Sequence, residues 1–251
     1  MDTSDLLAAV KNRHSVRKYS DRVIPEPIRA QLDVMASSSN AESGLSMKVV
    51  YDDPEAFRGG ASLYGRLEGV RNYIILSGVG DSSEQDHGYY GQKLVLLAQH
   101  LGLNTCWTGL TFNKKKVQVQ LDAGEKLSLV IALGYGLDSG KPHKLRPLAK
   151  LGSVFGGEPM PDWFVEGLEA VALAPSARHQ QKYSFELKGD QVIPHQGGSL
   201  TGYTGVDLGI AKLHFEIGAK AGTWNWGLSE EQIGVLYQRR YRGRRSLLWA
   251  L

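Results

Sequence analysis

"HGYYGQKLVLLAQHLGLNTCWTGL" spans residues 87–110. Leu94, Leu97, Ala98 and Leu101 recur at the spacing of one helix face. Gly102 can close that helix in a left-handed cap. The spacing predicts a helix over 87–102 that hands the chain to an extended segment from Asn104, carrying Trp107, Thr108 and Gly109. The same pattern recurs at 206–226, "VDLGIAKLHFEIGAKAGTWNW". With Gly102 set on Gly222, Ala98 falls on Gly218, Gly91 on Ala211, Val95 on Phe215 and Leu97 on Ile217. Trp107 then lies near Trp226. Self-similar halves imply one structural unit used twice; the alternative is that two Gly-ended helices look alike by accident.

Working outward, the neighbours of the two helices also correspond. Ser4 can cap a first helix whose apolar face is Leu6, Leu7 and Val10 and which runs towards Arg13. "IPEPIRAQLDVMA" (24–36) reads as a helix with Pro near its start. "SSSNAESG" (37–44) reads as a loop, and "MKVVY" (47–51) and "RNYIILSG" (71–78) as strands. "EKLSLVIALGYG" (125–136) is apolar enough for burial on both faces. In the second half, "PDWFVEGLEAVALAPSA" (161–177) is a helix entering a loop, and "KYSFEL" (182–187) is the strand after it.

Bulk composition narrows the function. The chain has 251 residues, enough for a sizeable core, with 42% hydrophobic and 22% charged residues. The net charge is +3, and five arginines lie between Arg239 and Arg245. Without those five the charge is −2, which argues against a folded body that binds nucleic acid. One cysteine, Cys106, excludes an internal disulfide and fits a reducing compartment. No signal pattern opens the sequence, and no apolar run reaches the roughly 20 residues of a membrane span. A cytoplasmic protein without membrane partners is the expectation.

Four stretches, in order, resemble the FMN-dependent nitroreductases. "RHSVRKYSD" followed by "IPEPI" is similar to the family's opening. "YYGQKLVLLAQHLGLNTCWTG" is similar to its central helix and the segment after it. "LVIALGYGLDSGKPHKLRPL" is similar to its late strand and basic loop. "APSARHQQKYSF" is similar to its Ala-Pro-Ser-x-x-Asn-x-Gln-Pro-Trp-x-Phe motif, with His179 at the Asn position, Gln181 at the Gln, Lys182 at the Pro and Tyr183 at the Trp. The resemblance implies an α+β fold: a mostly antiparallel sheet flanked by helices.

The order of the motifs departs from the family. The Ala-Pro-Ser motif, normally a few tens of residues behind the basic opening, stands here at 174. The early slot holds only "ASSSNAESGLSMKVV". Family members are homodimers with flavin at the interface, so the resemblance implies an internal pseudo-dimer in one chain. Its organisation is a first half over 1–150 with the phosphate arm, a second over 151–237 with the flavin-covering loop, and a flexible basic tail over 238–251. One complete FMN site per chain is expected, because "LGSVFGGEPMP" carries no second Arg-x-Ser-x-Arg.

The resemblance assigns roles residue by residue. Arg13, His14, Ser15 and Arg17, with Lys144 and Arg146, would hold the FMN phosphate; the planar arginine fork suits that dianion. Arg13 and Arg17, four apart, share a face if the turn stays helical. Trp107, Thr108 and Gly109 would lie along the flavin ring, chiefly through backbone. Pro175, Ser176, Ala177, His179 and Gln181 would line its opposite edge, and Tyr64 and Gly65 would also come near the ring. Hydride from NADH or NADPH would reduce the flavin, and a small acceptor such as a nitroaromatic or quinone would reoxidise it by ping-pong turnover. This needs positioning and electrostatics, so no catalytic side chain is named. The alternative is a flavin- or nucleotide-binding sensor or carrier without turnover. The seven histidines form no metal-type cluster, Cys106 reads as a small buried residue, and "SGVGD" lacks the dinucleotide fingerprint.

Overall fold

The computed structural model describes residues 1–58, 66–79, 84–109, 111–118, 120–198 and 202–220, with two short strands beyond. Tyr64, Gly65, Gly222, Trp226 and residues 239–251 lie outside the described residues. The chain divides into two units: Asn12–Pro142, and Met1–Lys11 together with His143–Leu251. This differs from the expected halves. The first helix joins the C-terminal unit, and so does the basic stretch 143–146. Side-chain bonds explain the latter: His143 Nε2 donates to Ala172 O at 3.0 Å, and Arg146 donates to the Gln181 carbonyl. Gln238, placed in the expected tail, belongs to a strand.

The N-terminal unit starts from helix α2 (Glu26–Ser43), which enters through Pro25 and ends at Gly44 with φ 71°. It is longer than the sequence suggests, because "SSSNAES" continues the helix instead of forming a loop. Hydroxyls there bond back along the helix: Ser43 Oγ donates to Ser39 O at 2.6 Å and Ser38 Oγ to Met35 O at 3.2 Å. Asn40 then ties the helix to the next strand, accepting from Met47 N–H at 2.8 Å and donating to Met47 O at 2.9 Å.

Strands β1 (Ser46–Val50), β2 (Asn72–Val79), β3 (Asn104–Thr108) and β4 (Glu125–Gly134) form an antiparallel sheet in the order β1-β2-β4-β3. Helix α3 (Glu84–His100) precedes β3, with Gly102 at φ 78° after it. The central strands are buried on both faces, as their apolar runs predict: Ile74, Ile75, Leu76, Val130, Ile131 and Ala132 are each 0% exposed.

The C-terminal unit takes α1 (Thr3–Asn12) up to Lys11. Its cap is Asp2 rather than Ser4: Asp2 Oδ1 accepts from Ser4 N–H at 2.8 Å and Asp5 N–H at 2.9 Å. β5 (Gly152–Val154), α4 (Asp162–Ala172), β6 (Tyr183–Lys188), β7 (Gln191–Gln196) and α5 (Thr204–Ala219) follow, then β8 (Thr223–Trp224) and β9 (Tyr237–Gln238). The sheet order is β5-β6-β7-β9-β8, antiparallel except for the parallel β5–β6 pair. α5 ends on Lys220 at φ 58°, before the Gly222 expected to close it.

Small residues let α4 and α5 cross closely. A Cβ on Gly218 would stand 2.5 Å from Glu166 O, and one on Gly167 would stand 2.6 Å from the Phe215 ring. Phe215 stacks on Phe185 with centroids 5.3 Å apart, and every residue of α5 is buried. The fold is α+β, with mostly antiparallel sheets flanked by helices. Among the described residues no helix is long and apolar enough to cross a membrane.

Candidate functional site

The basic opening is extended, not helical. α1 stops at Asn12, and Ser15 bridges to Thr105 of β3, with Val16 N–H donating to Thr105 O at 3.1 Å. In an extended run, residues two apart face alike. Arg13, Ser15 and Arg17 therefore share a side through period two, not through a helical turn. Cys106, the neighbour of Thr105 on β3, is buried. Burial pushes that thiol up, and Arg17, Arg13 and Ser15 oppose the shift. Sequence reasoning took Cys106 as a small buried residue, and it is one: 3% exposed and packed with Val16, Tyr19, Leu67, Val70 and Ala132.

Arg13 is the exceptional member. It is 5% exposed, and its Nε has no hydrogen-bond partner among the described residues. Desolvation lowers its pKa to about 10. A buried cation is costly unless an anion and hydrogen bonds compensate it. Arg17 is exposed, and His14 and Ser15 are half-buried. The turn after β4 passes directly over this segment because Gly140, at φ +72°, has no Cβ; one placed there would lie 2.8 Å from His14 Cβ and from Ser15 O.

On β3, Trp107 and Thr108 are held from behind. Trp107 Nε1 donates to Gln92 Oε1 of α3 at 3.0 Å, and Thr108 Oγ1 donates to Val130 O at 2.9 Å. Their side-chain donors are thus used within the unit. Gly109 follows, half-buried.

The remaining expected residues lie in the C-terminal unit. Lys144 is exposed, whereas Arg146 donates through Nη1 to the Gln181 carbonyl and stands 3.5 Å from Tyr183 O. The loop after α4 is strained: Arg178, His179 and Gln181 have φ of 55°, 54° and 46°. Non-glycine residues hold such angles only when their surroundings impose them.

Those surroundings are specific. Ala177 N–H donates to Asp207 Oδ1 at 2.9 Å, and Gln181 N–H donates to Ser176 Oγ at 3.0 Å. Gln181 Nε2 lies against the carbonyls of Val171, Ala172 and Ala174 at 3.3, 3.0 and 3.3 Å. The Gln181 amide therefore closes the end of α4, and the side chain expected at the flavin edge is committed to the loop. His179 stacks on His143, centroids 5.4 Å apart and planes 12° apart. Pro175 is buried, and Ser176 and Ala177 are half-buried.

No group of three or more His, Cys, Asp or Glu suits a metal ion among the described residues. A family profile described as "Putative TM nitroreductase" matches residues 5–219. The chain belongs to that nitroreductase family. Among solved structures, a putative nitroreductase from Thermotoga maritima shares 19% identity over 94% of both chains, with a TM-score of 0.65. Its likeness extends the nitroreductase fold over nearly the whole chain. A putative nitroreductase from Desulfovibrio desulfuricans, in complex with FMN, is 23% identical over 62% of this chain and 98% of its own, with a TM-score of 0.48. A putative NADH dehydrogenase/NAD(P)H nitroreductase from Parabacteroides distasonis is 22% identical over 58% of this chain and 95% of its own, with a TM-score of 0.46. No curated protein matches the chain.

Proposed function

We propose that this nitroreductase-family chain is an FMN-dependent oxidoreductase that takes hydride from NADH or NADPH and reduces a small acceptor such as a nitroaromatic or quinone. The observation that carries the reading is the Arg13 guanidinium: buried, desolvated, and with an Nε lacking a partner among the described residues. A phosphate fits it. A phosphate oxygen can accept from that Nε, and its charge offsets the cost of the buried cation. Ser15 adds a hydroxyl, and the exposed Arg17 adds charge that attracts the anion.

FMN, when bound, supplies hydride uptake and release, chemistry that no side chain here offers. The chain's own contribution is placement. Gln92 and Val130 fix Trp107 and Thr108, so a ring laid along Trp107–Gly109 would meet a rigid segment. For Lys144, Arg146, Pro175, Ser176, Ala177 and His179 the flavin roles rest on the family resemblance. The internal pseudo-dimer, with one FMN per chain, rests on it too, as does a monomer that carries both halves.

The test is a visible spectrum of the purified protein, followed by anaerobic NADH and then NADPH. A flavin band that bleaches with either supports the oxidoreductase. A band indifferent to both favours a flavin-binding sensor or carrier. A colourless protein that does not take up FMN removes the cofactor and its site together. Flavin content against protein mass checks the stoichiometry, and two FMN per chain would sink the single-site reading.

A further inference from the structure

A concavity lies within the N-terminal unit and contains none of the residues assigned to flavin. Its volume is about 330 Å³, and Tyr19, Phe57, Leu67 and Val70 form apolar walls, with Asp21, Arg58 and Arg71 also lining it. That is the lower end of ligand-pocket size and suits a single ring. Backbone pairing builds the walls in advance: Tyr19 N–H donates to Glu68 O and Glu68 N–H to Arg17 O, both at 2.9 Å. Gly69 permits this closeness, since a Cβ there would lie 2.2 Å from Tyr19 O at a φ of +71°.

Charge around the mouth is unbalanced. Asp52 Oδ2 is taken by Arg29 at 2.8 Å, which leaves Arg71 Nε at 3.8 Å from Oδ1, beyond hydrogen-bond distance. Glu55 is shared between Arg58 at 2.6 Å and Lys116 at 3.0 Å. The charged residues that line the concavity itself are two arginines, Arg58 and Arg71, and one carboxylate, Asp21. Arg71 is the cation whose fork is least engaged.

We propose that this concavity binds a small organic anion of the benzoate class, its ring against Phe57, Leu67 and Val70 and its carboxylate on Arg71. A guanidinium fork over apolar walls recognises that combination and discriminates against the uncharged analogue.

The test is benzoate binding to the full chain by calorimetry, beside benzyl alcohol as its neutral counterpart, in the native protein and in Arg71→Gln. The expected result is weak benzoate binding that falls about tenfold or more both for Arg71→Gln and for benzyl alcohol, the worth of one charge-assisted bond. Arg71→Lys, which keeps the charge without the fork, should fall between. If Arg71→Gln does not fold, the benzoate and benzyl alcohol comparison in the native protein decides. No benzoate binding in the millimolar range overturns the proposal. Equal affinity in Arg71→Gln, or equal affinity for benzyl alcohol, also overturns it. Loss of benzoate binding on adding excess FMN would assign the ligand to the flavin site and overturn it as well.

Discussion

Trp107 Nε1 donates to Gln92 Oε1 at 3.0 Å, and this bond seats the indole directly over Gly91. A Cβ at Gly91 would lie 2.6 Å from Trp107 Cη2 and 3.1 Å from Leu76 Cδ1. Two opposed effects meet there. Replacing a helical glycine with alanine gains up to about 1 kcal/mol in helix propensity. Overpacking a filled core costs about 1–3 kcal/mol. Gly91→Ala should therefore lower stability in chemical denaturation and move Trp107 fluorescence. A more stable variant would mean that the ring can leave its seat.

Arg13→Met should separate stability from binding. Removing an uncompensated buried cation should leave the ligand-free protein as stable as the native one or more so. FMN affinity should fall by about 1.5–3 kcal/mol, the range for a hydrogen bond to a charged group. Thermal melts with and without FMN check both. Unchanged stabilisation by FMN would remove Arg13 from the phosphate site.

The same residue predicts a pH dependence. Its folded-state pKa is lowered to about 10 from 12.5. For a base shifted downward, the folded state releases its proton first. The strain of the buried charge is present below about 10 and is relieved between about 10 and the unfolded value. Phosphate affinity should fall as pH rises through about 10, and Arg13→Met should lose that dependence. Binding measured from neutral pH upward checks it.

Gln181→Ala should unfasten the end of α4, because three carbonyls lose the amide that faces them. Leaving buried acceptors unpaired costs about 1–3 kcal/mol. Gln181→Glu should be worse, since it sets a carboxylate against the same carbonyls. Denaturation midpoints check the order. Equal stability of all three proteins would show that solvent replaces the amide.

Cys106 should be slow towards thiol reagents. It is 3% exposed, and burial raises its pKa above 9.0, so the thiolate is scarce at neutral pH. Disulfide reagents should label it at a rate that rises sharply on unfolding. Labelling at equal rates in native and unfolded protein would contradict its burial.

Elements with a strong period were legible in the sequence: α3, β3 and the doubly buried β4. The far half of α2 was not, because serine and asparagine signal a loop unless their side chains bond back to the helix, as Ser38 and Ser43 do. β7 was hidden by Pro194, which a central strand does not tolerate. Among the described residues β9 pairs with Gln191 and Val192, and Pro194 itself stands opposite Phe185 of β6. The basic cluster was legible as residues but not as geometry, since helical and extended backbones both bring Arg13 and Arg17 to one side. Gln181 was misplaced because the motif resemblance names the residue and not the direction of its amide.

The parting of the chain after Lys11 and again before His143 has a consequence for biosynthesis. Met1–Lys11 is made before Asn12–Pro142, yet the rest of its own unit is made after it. The whole of Asn12–Pro142 must emerge before that helix meets the residues it folds with. A change within Met1–Lys11 is therefore felt in residues translated after Pro142, and nascent chains arrested before His143 should leave Leu6, Ala9 and Val10 open to chaperones.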